Sequence, residues 1–141
     1  MAGFELYHWV GKAVEIMVIG YALIAGRSPE RIGGAALLVA IVVTPLSQDL
    51  RFLPGPQWGL AAVDSLYLLA LIWILARWRR TWAIYASAAQ LLVVTCHVVL
   101  MFDRTIDVWI YIATMNLLGY AMMAALAWGV WRDRRPDSAP A

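Results

Sequence analysis

Charged residues in this chain fall into short clusters that are separated by long stretches with almost no charge. The clusters lie at 27–31, 49–51, 77–80, 103–107 and 132–137. The stretches between them are about twenty residues long, the length that an α-helix needs to cross roughly 30 Å of hydrocarbon. The spacing therefore predicts a chain that crosses a membrane several times.

The composition also indicates a lipid environment. Of the 141 residues, 63% are hydrophobic and 14% are charged, whereas an average soluble domain has roughly 45–50% apolar and about 25% charged residues. A chain this short has too much surface for its volume to bury so much apolar material. The net charge of +2 and the single cysteine, Cys96, favour neither a nucleic-acid partner nor a disulfide framework. We therefore expect a lipid bilayer as a partner, and no nucleic acid.

Five apolar stretches predict an all-α bundle of five transmembrane helices. We expect these helices at 5–26 (α1), 29–47 (α2), 58–76 (α3), 81–102 (α4) and 108–131 (α5). The apolar run from Leu37 to Val43 does not alternate as a transmembrane β-strand would. Residues 1–131 then form a single transmembrane domain, and 132–141 form a short polar tail.

Local signals mark the ends of two predicted helices. Ser28 followed by Pro29 is typical of a helix start, because serine caps the first turn and proline fits its first position. The segment 51–57 contains two prolines and a glycine, which interrupt helical hydrogen bonding. We expect that segment to be a loop at the membrane surface.

The distribution of arginine predicts the orientation. If five helices alternate in direction, eight arginines lie on one side and two on the other. The larger set is Arg27, Arg31, Arg77, Arg79, Arg80, Arg132, Arg134 and Arg135, and the smaller set is Arg51 and Arg104. By the positive-inside rule, the N-terminus lies outside and the C-terminal tail lies in the cytoplasm.

The tryptophans agree with this orientation. Trp9, Trp58 and Trp109 fall near the outer ends of the helices. The other five fall near the inner ends, and they are Trp73, Trp78, Trp82, Trp128 and Trp131. Tryptophan concentrates at both interfaces of a membrane, so we expect all eight in two interfacial belts.

The first helix has two readings because Lys12 and Glu15 interrupt its apolar sequence. Their i, i+3 spacing permits a pair along one helix face, which lowers the cost of crossing the bilayer. The same residues make the segment amphipathic enough to lie along the interface. We expect α1 to cross, with four spans plus an interfacial helix as the alternative.

Six polar residues are expected within the hydrocarbon, where such residues usually face the interior of a bundle. They are Lys12, Glu15, Asp64, Gln90, His97 and Asn116. At about 1.5 Å per residue, they fall in a layer from the outer boundary towards the midplane. Gln90 and His97 are seven residues apart and share one helix face.

Three interpretations of this layer remain open. In the first interpretation, its members form structural hydrogen bonds between helices, such as a bond from Asp64 to Lys12 or to His97. Alternatively, Asp64 and His97 form a pocket that exchanges protons or binds a small solute. In the third interpretation, His8 and His97 are axial ligands of a haem. No other cofactor and no metal site is expected.

No sequence motif indicates an enzyme, because there is no HExxH, CxxC, glycine-rich loop or ordered catalytic triad. Ala121, Ala125 and Gly129 recur every four residues on α5 and allow a neighbouring helix, in this chain or in another copy, to approach closely. The leading hypothesis is an accessory or assembly subunit, or a homo-oligomer, that acts through its helix surfaces. A small solute or proton-coupled transporter is the alternative.

Several short motifs resemble a family of small, uncharacterised integral membrane proteins of alphaproteobacteria. They are Ser28-Pro29-Glu30-Arg31, Trp58-Gly59 with Val63-Asp64, Gln90-Leu91 with Thr95-Cys96-His97, and Trp128-Gly129. The resemblance covers most of the chain. It implies a bacterial inner-membrane protein in which Asp64 and His97 are the recurring polar pair, and it brings no assigned activity or cofactor.

Overall fold

The computed structural model describes residues 2–47, 57–103 and 105–135, with side chains from Trp9 onward, and these residues form five α-helices and no strand. The helices are α1 (Ala2–Ala25), α2 (Ser28–Ser47), α3 (Trp58–Trp78), α4 (Thr81–Phe102) and α5 (Val108–Asp133). The predicted all-α bundle is therefore confirmed. Most of the predicted loop at 51–57, and 136–141 of the predicted tail, lie outside the described residues.

Two aspartates form hydrogen bonds in the connection between α4 and α5. Asp107 caps α5, because its Oδ1 accepts hydrogen bonds from the backbone N–H of Trp109 at 2.7 Å and of Ile110 at 3.3 Å. Between α4 and α5, Asp103 Oδ1 accepts from the Thr105 hydroxyl and backbone N–H. These two hydrogen bonds hold the pKa of the exposed Asp103 carboxyl below its usual value.

Helices α2 to α5 form a closed ring of four, because each packs against the next and α5 also packs against α2. Helix α1 packs on the outside of this ring, against α2 and α5. These same four helices, α2 to α5, are long and apolar enough to cross a membrane. The predicted five-helix bundle is thus a four-helix ring with one peripheral helix.

The first helix lies lengthwise along α5. Gly11 is beside Tyr120, since a Cβ atom built on Gly11 would lie 2.7 Å from the Tyr120 hydroxyl oxygen. Farther along, the Arg134 guanidinium lies 6.0 Å from the centre of the Tyr21 ring. Both helices therefore run in the same direction through the bundle. This alignment favours a crossing α1 over one lying flat on the interface.

The outer surface of the bundle is apolar. Ile24, Leu46 and Phe102 are 82%, 83% and 87% exposed, and many other large apolar side chains are exposed along all five helices. A soluble monomer rarely exposes continuous apolar surface of this kind. The chain is a multi-pass helical membrane protein, in which this surface contacts lipid.

Trp82 lies near the predicted end of α4, but its ring packs between helices and does not face the surroundings of the bundle. Its side chain is only 3% exposed and lies between α2 and α5. A Cβ atom on Gly33 would lie 2.8 Å from Trp82 Cη2, and one on Gly129 would lie 2.5 Å from Trp82 Cγ. Glycine on both neighbouring helices leaves room for the indole, so Trp82 is a core residue.

The ridge of small residues on α5 is partly used within the chain. Ala125 and Gly129 are buried, and Gly129 contacts Trp82 of α4. Ala121 is exposed. The neighbour that the sequence left open is therefore a helix of the same chain at Gly129.

Candidate functional site

Four polar side chains from three helices meet near the end of the bundle where α3 and α5 begin. They are Asp64 on α3, Gln90 and His97 on α4, and Tyr111 on α5. Gln90 and His97 are two helical turns apart and therefore project from the same face of α4 towards α3. We call these four residues the polar quartet.

Both oxygens of the Asp64 carboxylate have a hydrogen-bond partner. Gln90 Nε2 donates to Asp64 Oδ1 at 2.9 Å and to the Asp64 backbone carbonyl at 3.0 Å. The other carboxylate oxygen, Oδ2, lies 2.8 Å from His97 Nε2. Asp64 is therefore fixed in one position against α4.

His97 joins Asp64 to Tyr111. Its Nδ1 atom lies 2.9 Å from the Tyr111 hydroxyl oxygen, while its Nε2 atom faces Asp64. When Asp64 is ionised and the imidazole is neutral, Nε2–H donates to the carboxylate and Nδ1 accepts from the Tyr111 hydroxyl. Carboxylate, imidazole and phenol thus form a continuous hydrogen-bonded chain.

Within the quartet, His97 and Gln90 are buried and Asp64 is partly exposed. The side chain of His97 is 2% exposed and Gln90 is 1% exposed, whereas the Asp64 side chain is 27% exposed. The imidazole is therefore shielded, and the carboxylate connects it to the surroundings of the bundle.

Three residues of the predicted polar layer lie elsewhere. Lys12 Nζ donates to Glu15 Oε2 at 2.8 Å, as their spacing predicted, and both remain on α1. Since α1 packs on α2 and α5, it lies across the ring from the α3–α4 pair. Asn116 is exposed on α5. It is five residues from Tyr111, about 140° around the helix, and therefore faces away from the quartet.

The haem interpretation gains no support at His97. Both ring nitrogens are engaged, one with Asp64 and the other with Tyr111. An iron ion would have to displace one of these partners. The side chain of His8 lies outside the described residues. In the described part of the chain, no three His, Cys, Asp or Glu side chains are grouped to hold a metal ion.

The sequence analysis did not identify Tyr111, which is the fourth residue of α5, a position where a tyrosine is usually interfacial. A signal for it exists in the helical period. Gly129 and Met122 are buried and seven residues apart. Met115 lies seven residues before Met122, and Tyr111 lies four residues before Met115, so all four share one helix face. Tyr111 therefore lies on the extension of the buried stripe of α5.

A second polar cluster lies at the opposite end of the bundle, and the sequence analysis also missed it. Glu30 of α2 is completely buried, and its Oε1 accepts from Trp82 Nε1 at 2.7 Å. Arg80 lies 3.8 Å from the same Glu30 oxygen and bonds to Asp133 Oδ1 at 2.9 Å. The cluster joins α2, α4 and α5 at the end where the arginines gather.

The two clusters lie at opposite ends of one helical bundle. No family model, curated protein or solved structure matches this chain. The fold and its apolar surface define a multi-pass α-helical membrane protein.

Proposed function

We propose that this is a bacterial inner-membrane protein whose N-terminus lies outside the cell membrane and whose C-terminus lies in the cytoplasm. The contacts among Glu30, Arg80 and Asp133 bring the starts of α2 and α4 and the end of α5 together. The eight arginines of the larger set flank these three positions and the ends of α1 and α3. The positive-inside rule favours that end as the cytoplasmic one.

Reporter fusions test this orientation. We expect a periplasm-active enzyme to function when fused to the N-terminus, and a cytoplasm-fluorescent protein to function when fused after Ala141. The same two reporters exchanged between the termini serve as controls. An N-terminus in the cytoplasm would contradict the proposed crossing of α1.

We propose further that the polar quartet exchanges protons with the outer side and couples this exchange to the movement or binding of a small solute. The observation that carries the proposal is the position of His97 between Asp64 and Tyr111. Each nitrogen of an imidazole can donate or accept a proton, so a ring held between two hydrogen-bond partners can pass a proton from one to the other.

The hydrogen bonds permit a balanced transfer. A proton that arrives at the Tyr111 oxygen allows the hydroxyl proton to pass to His97 Nδ1. The imidazole then releases its Nε2 proton to Asp64 Oδ2, 2.8 Å away. Tyr111 and His97 return to their neutral forms, and Asp64 becomes a neutral carboxylic acid. The partly exposed Asp64 is the point at which the transferred proton leaves or a solute binds.

Replacing Asp64 by asparagine separates proton exchange from a structural role. The amide of Asp64→Asn still accepts from Gln90 and can donate to His97 Nε2, with the imidazole in its other tautomer. We therefore expect the variant to fold with an unfolding midpoint near that of the wild type. We expect dissipation of a pH gradient in reconstituted vesicles to fall to the level of protein-free vesicles.

Asn116→Ala is the matched control, because Asn116 is exposed on α5 and faces away from the quartet. This variant should retain the flux of the wild type. Tyr111→Phe removes the hydroxyl group and keeps the ring, so it should reduce the flux. A wild-type protein without proton or solute flux across the pH range, or an Asp64→Asn variant with full flux, would contradict the proposal.

A second candidate function is that of an accessory subunit or homo-oligomer that acts through helix surfaces. The observation in its favour is an apolar groove of about 280 Å³ between α2 and α3. Ala36, Ala40 and Ala70 line it, and small residues permit close approach of another transmembrane helix. Crosslinking in native membranes tests this candidate, and a lone monomer with no co-purifying protein would contradict it.

A further inference from the structure

The end of the bundle that carries the larger arginine set has more positive than negative charge among the described residues. Eight arginines lie there against two carboxylates, Glu30 and Asp133. Both carboxylates contact the same arginine, Arg80. The exposed side chains of Arg77, Arg79, Arg132 and Arg134 therefore give this end of the bundle an excess of positive charge among the described residues. We call this surface the arginine end.

Three arginines of this end each lie beside one indole ring. Arg135 lies 3.7 Å from the centre of the Trp131 ring, and Arg132 lies 5.4 Å from that of Trp128. Arg77 lies 5.5 Å from the centre of the Trp78 ring. Trp131 is 47% exposed. Exposed indoles on a transmembrane bundle mark the depth of the lipid headgroups, so the arginines lie at that depth.

Arg79 adds a conformational observation. Its backbone has φ 50° and ψ 39°, and its N–H donates to the Leu75 carbonyl at 2.9 Å to end α3. This left-handed position at a helix end is normally occupied by glycine or asparagine, because a larger side chain is strained there. Among the described residues, Arg79 is the one non-glycine residue with a positive φ. Arg79 thus ends α3 in a backbone conformation that residues with a long side chain rarely adopt.

We propose that the arginine end binds the phosphate group of an anionic phospholipid, and that Arg79 is one of the residues that contact it. The forked guanidinium group matches phosphate oxygens, and several arginines at headgroup depth attract an anionic lipid over a zwitterionic one. A lipid is favoured over a soluble anion because exposed indoles border the same surface. The proposal is independent of proton exchange, since it concerns the opposite end of the bundle and is measured without flux.

Quenching of tryptophan fluorescence by brominated lipids tests the proposal. The full chain is reconstituted into vesicles that contain brominated phosphatidylglycerol or brominated phosphatidylcholine, and the relative affinity is obtained from competition between them. We expect a preference for phosphatidylglycerol in the wild type. Arg79→Gly should reduce that preference by about fivefold, the effect of one surface cation near anionic lipid.

Three further variants complete the test. Arg79→Lys retains the charge and should retain most of the preference, whereas Arg79→Asn fits the left-handed backbone and should lose it as glycine does. Lys12→Gln removes a positive charge from α1, away from the arginine end, and should leave the preference unchanged. We also expect Arg79→Gly to unfold at the same temperature as the wild type or a higher one, because the backbone strain is relieved.

Either of two results would overturn the proposal. One is a wild-type protein that both lipids quench with equal affinity. The other is an Arg79→Gly or Arg79→Asn variant whose lipid preference equals that of the wild type while the protein remains folded. Loss of lipid preference with intact proton flux would support this inference and leave the function of the quartet as a separate question.

Discussion

Replacing Gly129 by alanine is expected to destabilise the bundle by about 3 kcal/mol. The new methyl group would overlap Trp82 Cδ1 and lie 2.5 Å from Cγ and 2.9 Å from Cβ of the same side chain. The indole has no space to retreat, because its far edge already meets Gly33 of α2. We expect the loss as a lower midpoint of unfolding in detergent micelles.

Gly119→Ala is the matched control for this prediction. Gly119 lies on the same helix, and a Cβ atom there would have no neighbour within 4 Å. Alanine has a higher helix propensity than glycine by about 1 kcal/mol, so the control should be neutral or slightly stabilised. A Gly129→Ala variant as stable as Gly119→Ala would show that the indole is not confined as described.

Replacing Trp82 by phenylalanine is expected to destabilise the protein by a similar amount, about 3 kcal/mol. The change removes the indole N–H that donates to Glu30 at 2.7 Å. Glu30 is completely buried, and its other oxygen already lacks a hydrogen-bond partner. The variant leaves the carboxylate with Arg80, 3.8 Å away, as its remaining polar contact among the described residues.

A double-mutant cycle separates the lost hydrogen bond from the smaller volume of the phenyl ring. Glu30→Gln keeps an acceptor for the indole and removes the charge, so we expect a small loss of stability in that variant alone. Trp82→Phe combined with Glu30→Gln should be more stable than Trp82→Phe, because no buried charge is left unpaired. Equal stability of these two proteins would rule out Glu30 as the source of the effect.

The sequence predicted the helices because a single physical quantity, the length of an uncharged stretch, determines whether a helix can cross a bilayer. The ends of α3 and α5 were less well predicted. Each extends two residues beyond the predicted end, to Trp78 and Asp133. Arginine and tryptophan side chains are compatible with a helix that continues into the headgroup region, so a change in polarity does not mark the last helical residue.

The candidate site was predictable in part. Asp64, Gln90 and His97 were found because polar groups in hydrocarbon require partners, and the structure brings these three together. Lys12 and Asn116 were assigned to the same layer by depth alone. Depth gives no direction around a helix and no order of helices around the bundle, so it cannot show that α1 lies outside the ring.

The cluster at the arginine end was missed for a different reason. Glu30 stands in the first turn of α2, where an acidic residue is ordinarily explained by the helix dipole. Trp82 stands in the first turn of α4, where an interfacial ring is expected. Their hydrogen bond joins positions 52 residues apart, and no local pattern in either helix indicates that contact.

The most direct test of proton exchange by the polar quartet is infrared difference spectroscopy of the reconstituted protein, recorded between an acidic and an alkaline buffer. We expect carboxyl or imidazole bands to change with pH, and we expect Asp64→Asn and His97→Gln to remove them while Asn116→Ala leaves them intact. A folded wild-type protein with no pH-dependent band that these two variants remove would contradict proton exchange. It would leave Asp64 and His97 as a structural contact between α3 and α4.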